Sequence, residues 1–460
     1  MAESSLHVVL FPWLAFGHLI PFLELSKSLA KRGHHVFFLS TPRNISRLPK
    51  LPPSLAPSID FVPIPLPPCE GLPDGAEATS DLPREKVKYL NKAFDGLEQS
   101  VAEFLVQTSP KPSWIIHDYA PYWLPLIATR VGVPCIFFNT FPSFVSAFFT
   151  GPGGRGMQRP VEAFTTPPEW IPFPTKLAYR AHEVRSLSDH VKRDDVSGVS
   201  LVRRIEMVGK GCELMAVRAC TEFEREWLSL LREHNEKPVI PVGLLPPSIK
   251  DRSGEANQGA NTGDIFLWLR DQAPGSVLYI ALGSEVALSA ELLRELAFGL
   301  EQGGLPFLWA LRRPDDMEAL PEGFEERLKG RGVVAFGWIP QLQVLAHESV
   351  GGFLTHCGWG SLIEGLAFGR PLVLLPIAFD QGLNARLMEE KSLGVEIGRD
   401  EEDGSFTREA VAHAIGLVMV EEAGKKIRDA AKEMKDVFGD TECHEKYVDE
   451  FVQYLQHHNN

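Results

Sequence analysis

The segment "LHVVLFP" (6–12) is apolar at successive positions rather than alternate ones, the pattern of a parallel strand buried on both faces. In "GHLIPFLELSKSLAKRG" (17–33), Leu19, Phe22, Leu23, Ser26, Leu29 and Ala30 recur at helical spacing, with Pro21 in the first turn and Gly33 placed to end the helix. A second apolar run, "HHVFFLS" (34–40), follows. Strand, helix and strand in this order make a βαβ unit, and so predict a doubly wound α/β sheet. The pattern returns at "WIIHDY" (114–119) and "VPCIFFNT" (133–140), with a helix between them.

From Phe141 to Thr175 the chain is rich in Pro, Gly and Phe, which predicts irregular loops bordering a ligand site. Proline-rich sequence giving way to Gly, Asn and Ser between Glu236 and Asp264 predicts an interdomain linker at 241–263. A second βα series then runs through "SVLYIALGS", a helix from Ser289 to Gly303, "PFLWALR", "VVAFGWIP", "VGGFLTH", a short helix to Phe368 and "PLVLLPI". Helices near Glu421–Phe438 and His444–Gln456 close the chain. At 460 residues the chain is too long for one ordinary core. The expected domains are 1–240 and 264–440, with a terminal helix in 441–460 packing back on the first. There is no internal repeat beyond the shared architecture of the halves.

A net charge of −14 argues against a nucleic-acid partner, and 44% hydrophobic with 23% charged residues is the balance of a soluble globular protein. The six cysteines (69, 135, 212, 220, 357 and 443) show no C-x-x-C pair and no metal-finger spacing, so they read as reduced thiols with no metal. The apolar run from Leu6 to Leu14 has no Lys or Arg before it, and Pro12, Gly17 and His18 interrupt the region, unlike a signal peptide. No apolar run reaches the ~20 residues that span a bilayer. A cytoplasmic protein with no membrane span is expected.

His18 opens the helix after the first strand, where the helix dipole disfavours a charged imidazole and keeps it neutral as a base, unless it merely fills space. Asp118 ends "WIIHD" and can reach the same sheet edge. A carboxylate on one imidazole nitrogen fixes the tautomer and stabilises the imidazolium formed at the other. No G-x-S-x-G elbow is present, so such a base would activate a hydroxyl of a substrate.

"HCGWGSLIEGLAFG" (356–369) resembles a dinucleotide-binding turn in Gly358 and Gly360, but Ile363 stands at the third glycine position, and Asp380 falls 22 positions after Gly358. Ser361 and Glu364 also have capping-box spacing. Taken whole, 338–381 offers a Trp to stack on a base, a His and a Ser at a helix N-terminus for a diphosphate, a Glu for a ribose and an Asp-Gln pair for sugar hydroxyls.

That stretch, "WIPQLQVLAHESVGGFLTHCGWGSLIEGLAFGRPLVLLPIAFDQ", resembles the 44-residue signature box of the plant secondary-metabolite glycosyltransferases that use UDP-sugars. The likeness extends over nearly the whole chain, through the N-terminal "FGH", the mid-chain Asp, the "GS" after the first strand of the second half and the closing helix. It implies two facing Rossmann-like domains of the GT-B type with the acceptor and donor cleft between them. The acceptor would bind the first domain and the nucleotide sugar the second.

By the same resemblance, Trp338 stacks on uracil, while the Ile339 backbone and Gln341 meet its edge or the ribose. Glu364 holds the ribose hydroxyls, and His356, Ser361 and Ser284 the diphosphate. Trp359, Asp380, Gln381 and Thr140 contact the sugar, His18 is the base and Asp118 its partner. Gly360 stands where most members have Asn, removing a side-chain contact near the phosphates or sugar. No cofactor is resident: the UDP-sugar is a co-substrate.

Gln381 resembles members that prefer UDP-glucose, although UDP-rhamnose users occur in the same group. "PWLAFGH", "STPRNISRL" and "GLPDGAE" are most similar to the branch-forming members, which add a sugar, in a 1,2-linkage, to one already on a terpenoid or flavonoid. A monomer acting on a small-molecule glycoside, or on an unglycosylated aglycone, is expected. Two other readings are a nicotinamide-dependent oxidoreductase, disfavoured by Ile363, and a binding protein without activity, disfavoured by the presence of both His18 and Asp118.

Overall fold

A computed structural model of the chain describes residues 5–154, 156–191, 195–249, 262–283, 288–311 and 320–458. The chain divides into two units. The first comprises Met1–Arg159, Ser188–Leu245 and Thr441–Asn460, the second Pro160–Leu187 and Pro246–Asp440.

The first unit is built on a parallel sheet of seven strands: β1 (His7–Phe11), β2 (His35–Ser40), β3 (Ile59–Pro63), β4 (Trp114–His117), β5 (Cys135–Asn139), β6 (Leu214–Val217) and β7 (Val239–Pro241). Their order is β3-β2-β1-β4-β5-β6-β7. The apolar run 6–12 is thus a central strand. Val8 and Leu10 enter one hydrophobic cluster, with Phe22, Leu23 and Leu29, whereas Val9 and Phe11 enter a second with Phe94 and Trp123. Burial on both faces is why this strand carries no polar alternation. The helix Phe16–Lys31 buries Leu19, Phe22, Leu23, Ser26, Leu29 and Ala30, the face expected from its periodicity.

The closing helix Thr441–His457 belongs to this first unit, where Leu455 O accepts from Trp114 Nε1 at 3.1 Å and Arg32 reaches Glu445 and Asp449, each at 2.6 Å. The segment 141–175 is less irregular than expected. Pro142 starts a helix, Ser143–Thr150, that buries Phe144 and Phe148 and is anchored by the Glu224 carboxylate, which accepts from Ser143 Oγ at 2.7 Å and Phe144 N at 3.3 Å. Flanking Pro and Gly conceal this short apolar helix from a composition-based reading.

The second unit carries six parallel strands: β8 (Val277–Ala281), β9 (Phe307–Leu311), β10 (Gly332–Phe336), β11 (Val350–Thr355), β12 (Leu372–Leu374) and β13 (Gly394–Glu396), ordered β10-β9-β8-β11-β12-β13. Where 1–240 was expected to be one domain, residues 160–187 group with this unit. Arg386 bridges Glu183 (3.1 Å) and Glu396, and Glu396 also accepts from Arg180 Nε at 3.1 Å. Much of the linker expected at 241–263 lies outside the described residues. Among the described residues, no helix is long and apolar enough to cross a membrane.

Candidate active site

In each sheet the strand order reverses at one point, between β1 and β4 in the first and between β8 and β11 in the second. Ligands of open α/β sheets bind outside the carboxyl ends of the strands at such a point. The first switch point carries the His18 pair. His18 lies in the first turn of its helix, which has Ala15 at the N-cap and no side-chain cap. Its Nδ1 donates to Asp118 Oδ2 at 2.7 Å. Asp118 follows β4, is 1% exposed, and accepts further bonds from Trp13 N at 3.1 Å and Tyr119 N at 2.8 Å.

These bonds match an ionised carboxylate, which only accepts. They therefore put the imidazole hydrogen on Nδ1 and make Nε2 the basic nitrogen. The rings of Tyr119 and Phe141 stand edge-on to His18, with centroids at 5.7 and 5.5 Å. Thr140, expected at the sugar, follows β5 with its hydroxyl 3.1 Å from His18 Nδ1. Asp118 and Thr140, which follow the neighbouring strands β4 and β5, thus converge on one nitrogen of His18.

At the second switch point, His356 follows β11. A Cβ at Gly283 or Gly358 would fall 2.6 or 2.7 Å from its Nε2, so a side chain at either position would displace the ring, and Gly283 also has φ +76°. Burial pushes the His356 pKa down to about 4, with a hydrogen bond at the Ala281 backbone pulling the other way. The ring is neutral at pH 7 and can serve a diphosphate as a hydrogen-bond donor rather than as a cation. The folded state thus takes up this proton less readily than the unfolded chain, whose His titrates near 6.5, and the resulting loss of stability opens below about pH 6.5 and stops growing near pH 4. We expect the Tm of His356→Asn to fall less steeply between pH 6.5 and 4.5 than that of the wild type, as read by thermal melts; parallel curves would contradict it.

The next helix, Trp359–Ala367, is capped by Gly358 with no side-chain cap. Helix geometry leaves the amides of its first turn without an intrahelical acceptor, which favours an anion there. Ser361 lies inside that turn, so the capping-box reading with Glu364 does not hold. Gly360 also lies there, and Ile363 is fully buried in the packing of the helix. Trp359 points inward, 4% exposed and edge-on to Phe438 at 6.2 Å, so a sugar could meet only its backbone. Ser284 lies outside the described residues.

Trp338 is 47% exposed after β10, as a stacking platform requires, and Ile339 beside it is half-buried. Gln341 Nε2 donates to Glu364 Oε2 at 2.6 Å, which joins two residues expected at the uridine. Gln381 spends its carboxamide oxygen on Ile377 N and Ala378 N, both at 2.9 Å, so its NH2 is what it can offer a sugar hydroxyl. Asp380 accepts from Asn384 Nδ2 at 2.7 Å, and the same nitrogen lies 2.9 Å from Cys357 O. Cys357 and Phe379 hold positive φ (66° and 54°), and this strain flanks the residues just described.

Sequence reasoning missed Asn384, which ties the two loops together, and the buried Tyr279, whose OH is 3.4 Å from Gln341 Oε1. A polar residue inside an apolar strand and an Asn one helical turn after Asp380 were the available signals.

Residues 254–429 match the family model "UDP-glucoronosyl and UDP-glucosyl transferase". The chain is 46% identical over 457 residues to UDP-glycosyltransferase 91C1 of Arabidopsis thaliana, covering 99% of this chain and 97% of that one. It is 43% identical over 458 residues to soyasaponin III rhamnosyltransferase of Glycine max, covering 99% and 96%. The crystal structure of Arabidopsis thaliana UGT89C1 complexed with UDP-L-rhamnose shares the fold, with a TM-score of 0.78 at 24% identity over 99% of this chain and 100% of that one. With a GT-B fold and relatives of this similarity along its whole length, the chain belongs to the plant UDP-glycosyltransferases.

Proposed function

We propose that this enzyme transfers glucose from UDP-glucose, with inversion, to a hydroxyl of a sugar already attached to a terpenoid or flavonoid. The observation that carries the mechanism is the 2.7 Å bond from His18 Nδ1 to the buried Asp118 carboxylate. His18 Nε2 takes the proton of the acceptor hydroxyl as that oxygen attacks C1 of the sugar. The bond from C1 to the diphosphate oxygen breaks with its electron pair, and UDP departs from the opposite face. Asp118 stabilises the imidazolium that forms.

In the second unit, Trp338 stacks on uracil, with the Ile339 backbone at its edge, and Glu364 with Gln341 takes the ribose. The first-turn amides of Trp359–Ala367, Ser361, Ser284 and neutral His356 hold the diphosphate and receive the charge that builds on it. Asp380 and Gln381 orient the sugar. Thr140 steadies the base from its place beside Nδ1.

The acceptor class rests on the likeness to branch-forming members and on a relative named for soyasaponin III. That name also supports a second donor, UDP-rhamnose. Incubating the enzyme with aglycones and monoglucosides, each with UDP-glucose and UDP-rhamnose, separates these readings. Fastest turnover of a monoglucoside with UDP-glucose is expected; faster rhamnosyl transfer would replace the donor, and faster reaction of aglycones the acceptor. Restoring the amide side chain with Gly360→Asn is expected to lower the donor KM, and unchanged KM and kcat would show that the position has another role.

A further inference from the structure

We propose that His117, Cys135 and Cys212 form a binding site for one thiophilic divalent cation of the zinc class, beneath the strand end that carries Asp118. His117 ends β4, Cys135 opens β5 and Cys212 stands just before β6, so three neighbouring strands bring together residues separated by up to 95 positions. No spacing motif could reveal such a set.

His117 Nε2 is 3.2 Å from Cys212 Sγ, the two sulfurs are 3.6 Å apart, and all three ligand atoms lie within 4.8 Å of one another. A zinc ion about 2.3 Å from sulfur and about 2.0 Å from nitrogen places its ligand atoms roughly 3.5–4 Å apart, so only small movements are needed. Among the described residues, no other group of three His, Cys, Asp or Glu residues shares this closeness.

The imidazole is already oriented for the task. His117 Nδ1 lies 2.8 Å from the Asp118 carbonyl, which can only accept. The ring hydrogen is therefore on Nδ1, and the Nε2 lone pair faces Cys212. Metal-binding histidines are characteristically fixed in this way by a backbone carbonyl on the far nitrogen. All three side chains are buried, and a divalent cation with two thiolates and a neutral imidazole carries no net charge, which suits a buried place. Binding is a ligand exchange in which both sulfurs coordinate as thiolates, any S–H proton leaves for solvent and no electrons move. Because His117 and Asp118 are consecutive, the bound cation would pin the backbone from which the Asp118 carboxylate reaches His18.

The test uses the full-length, reduced protein in a Cys69→Ser/Cys443→Ser background, which removes the two partly exposed thiols. Titration with Cd2+ is expected to give a thiolate-to-cadmium absorption band saturating at one ion per chain, displacement by Zn2+ and a higher Tm. The band should be lost in Cys135→Ser and in Cys212→Ser, with folding checked by circular dichroism. X-ray absorption of the zinc-loaded protein needs neither of those variants and should show two sulfur ligands and a nitrogen. No band at saturating Cd2+, a band that survives in either folded serine variant, or a zinc shell of oxygen and nitrogen alone would overturn the proposal.

Discussion

Replacing His18 by alanine is expected to lower kcat by ~10²-fold or more while UDP binds as tightly as before. A sugar or aglycone hydroxyl is a poor nucleophile at neutral pH, and in the proposed mechanism its proton goes only to Nε2. The residues proposed to hold UDP itself all lie in the second unit, so the Kd for UDP should not register the change. Asp118→Asn should also fall steeply, for a reason visible in its contacts. The carboxylate accepts from His18 Nδ1 and Trp13 N through one oxygen and from Tyr119 N through the other. An amide has one accepting oxygen and turns its NH2 toward whichever partner it abandons. Either the histidine loses its tautomer or a buried backbone amide loses its acceptor, the latter costing about 1–3 kcal/mol of stability. Steady-state kinetics with UDP calorimetry on both variants separates these effects. Unchanged turnover in His18→Ala refutes the base.

The largest stability effect is expected from Arg386→Met. Arg386 is 9% exposed and donates through Nη2 to both oxygens of Glu183 at 3.1 Å, and through Nη1 to Glu396, itself 2% exposed in its side chain. Burial raises the Glu183 pKa, and the Arg386 charge is the largest influence opposing it. Removing the guanidinium leaves Glu183 without its main counter-charge and Glu396 dependent on Arg180. Breaking such a buried pair costs about 3–5 kcal/mol. Glu183 would then rise further, binding a proton in the folded state more readily than in the unfolded one, so the loss should shrink as pH falls. Urea unfolding at pH 8 and pH 5.5 tests this, and a change below about 1 kcal/mol at pH 8 would show that the network contributes little. Because Glu183 lies in the segment 160–187, the same variant should expose that segment to proteolysis.

The fold was legible where burial on both faces left unbroken apolar runs, as at Val8–Phe11 and Phe353–Leu354, and where a Gly or Pro marked a helix end. His18 and Asp118 were legible because each stands next to a buried strand, at positions that a doubly wound sheet brings to one edge. What the sequence hid depends on side-chain direction and on distant pairs. Nothing in "HCGWGS" says that the Trp359 indole turns inward onto Phe438, 79 residues later. Nor does the position of Thr140 disclose that its hydroxyl meets the histidine rather than standing apart from it. The Glu183–Arg386 pair joins residues 203 apart, and the His117–Cys212 contact joins residues 95 apart. Each becomes a neighbour only once the sheet order is known.

The central claim, that the second unit grips UDP while the first supplies the base, is tested most directly by a crystal structure of the protein with UDP bound. The account predicts uracil stacked on the Trp338 indole, ribose hydroxyls at Glu364 and the diphosphate at the first-turn amides of the helix Trp359–Ala367. Uridine bound away from Trp338, or a diphosphate away from that helix, would contradict it.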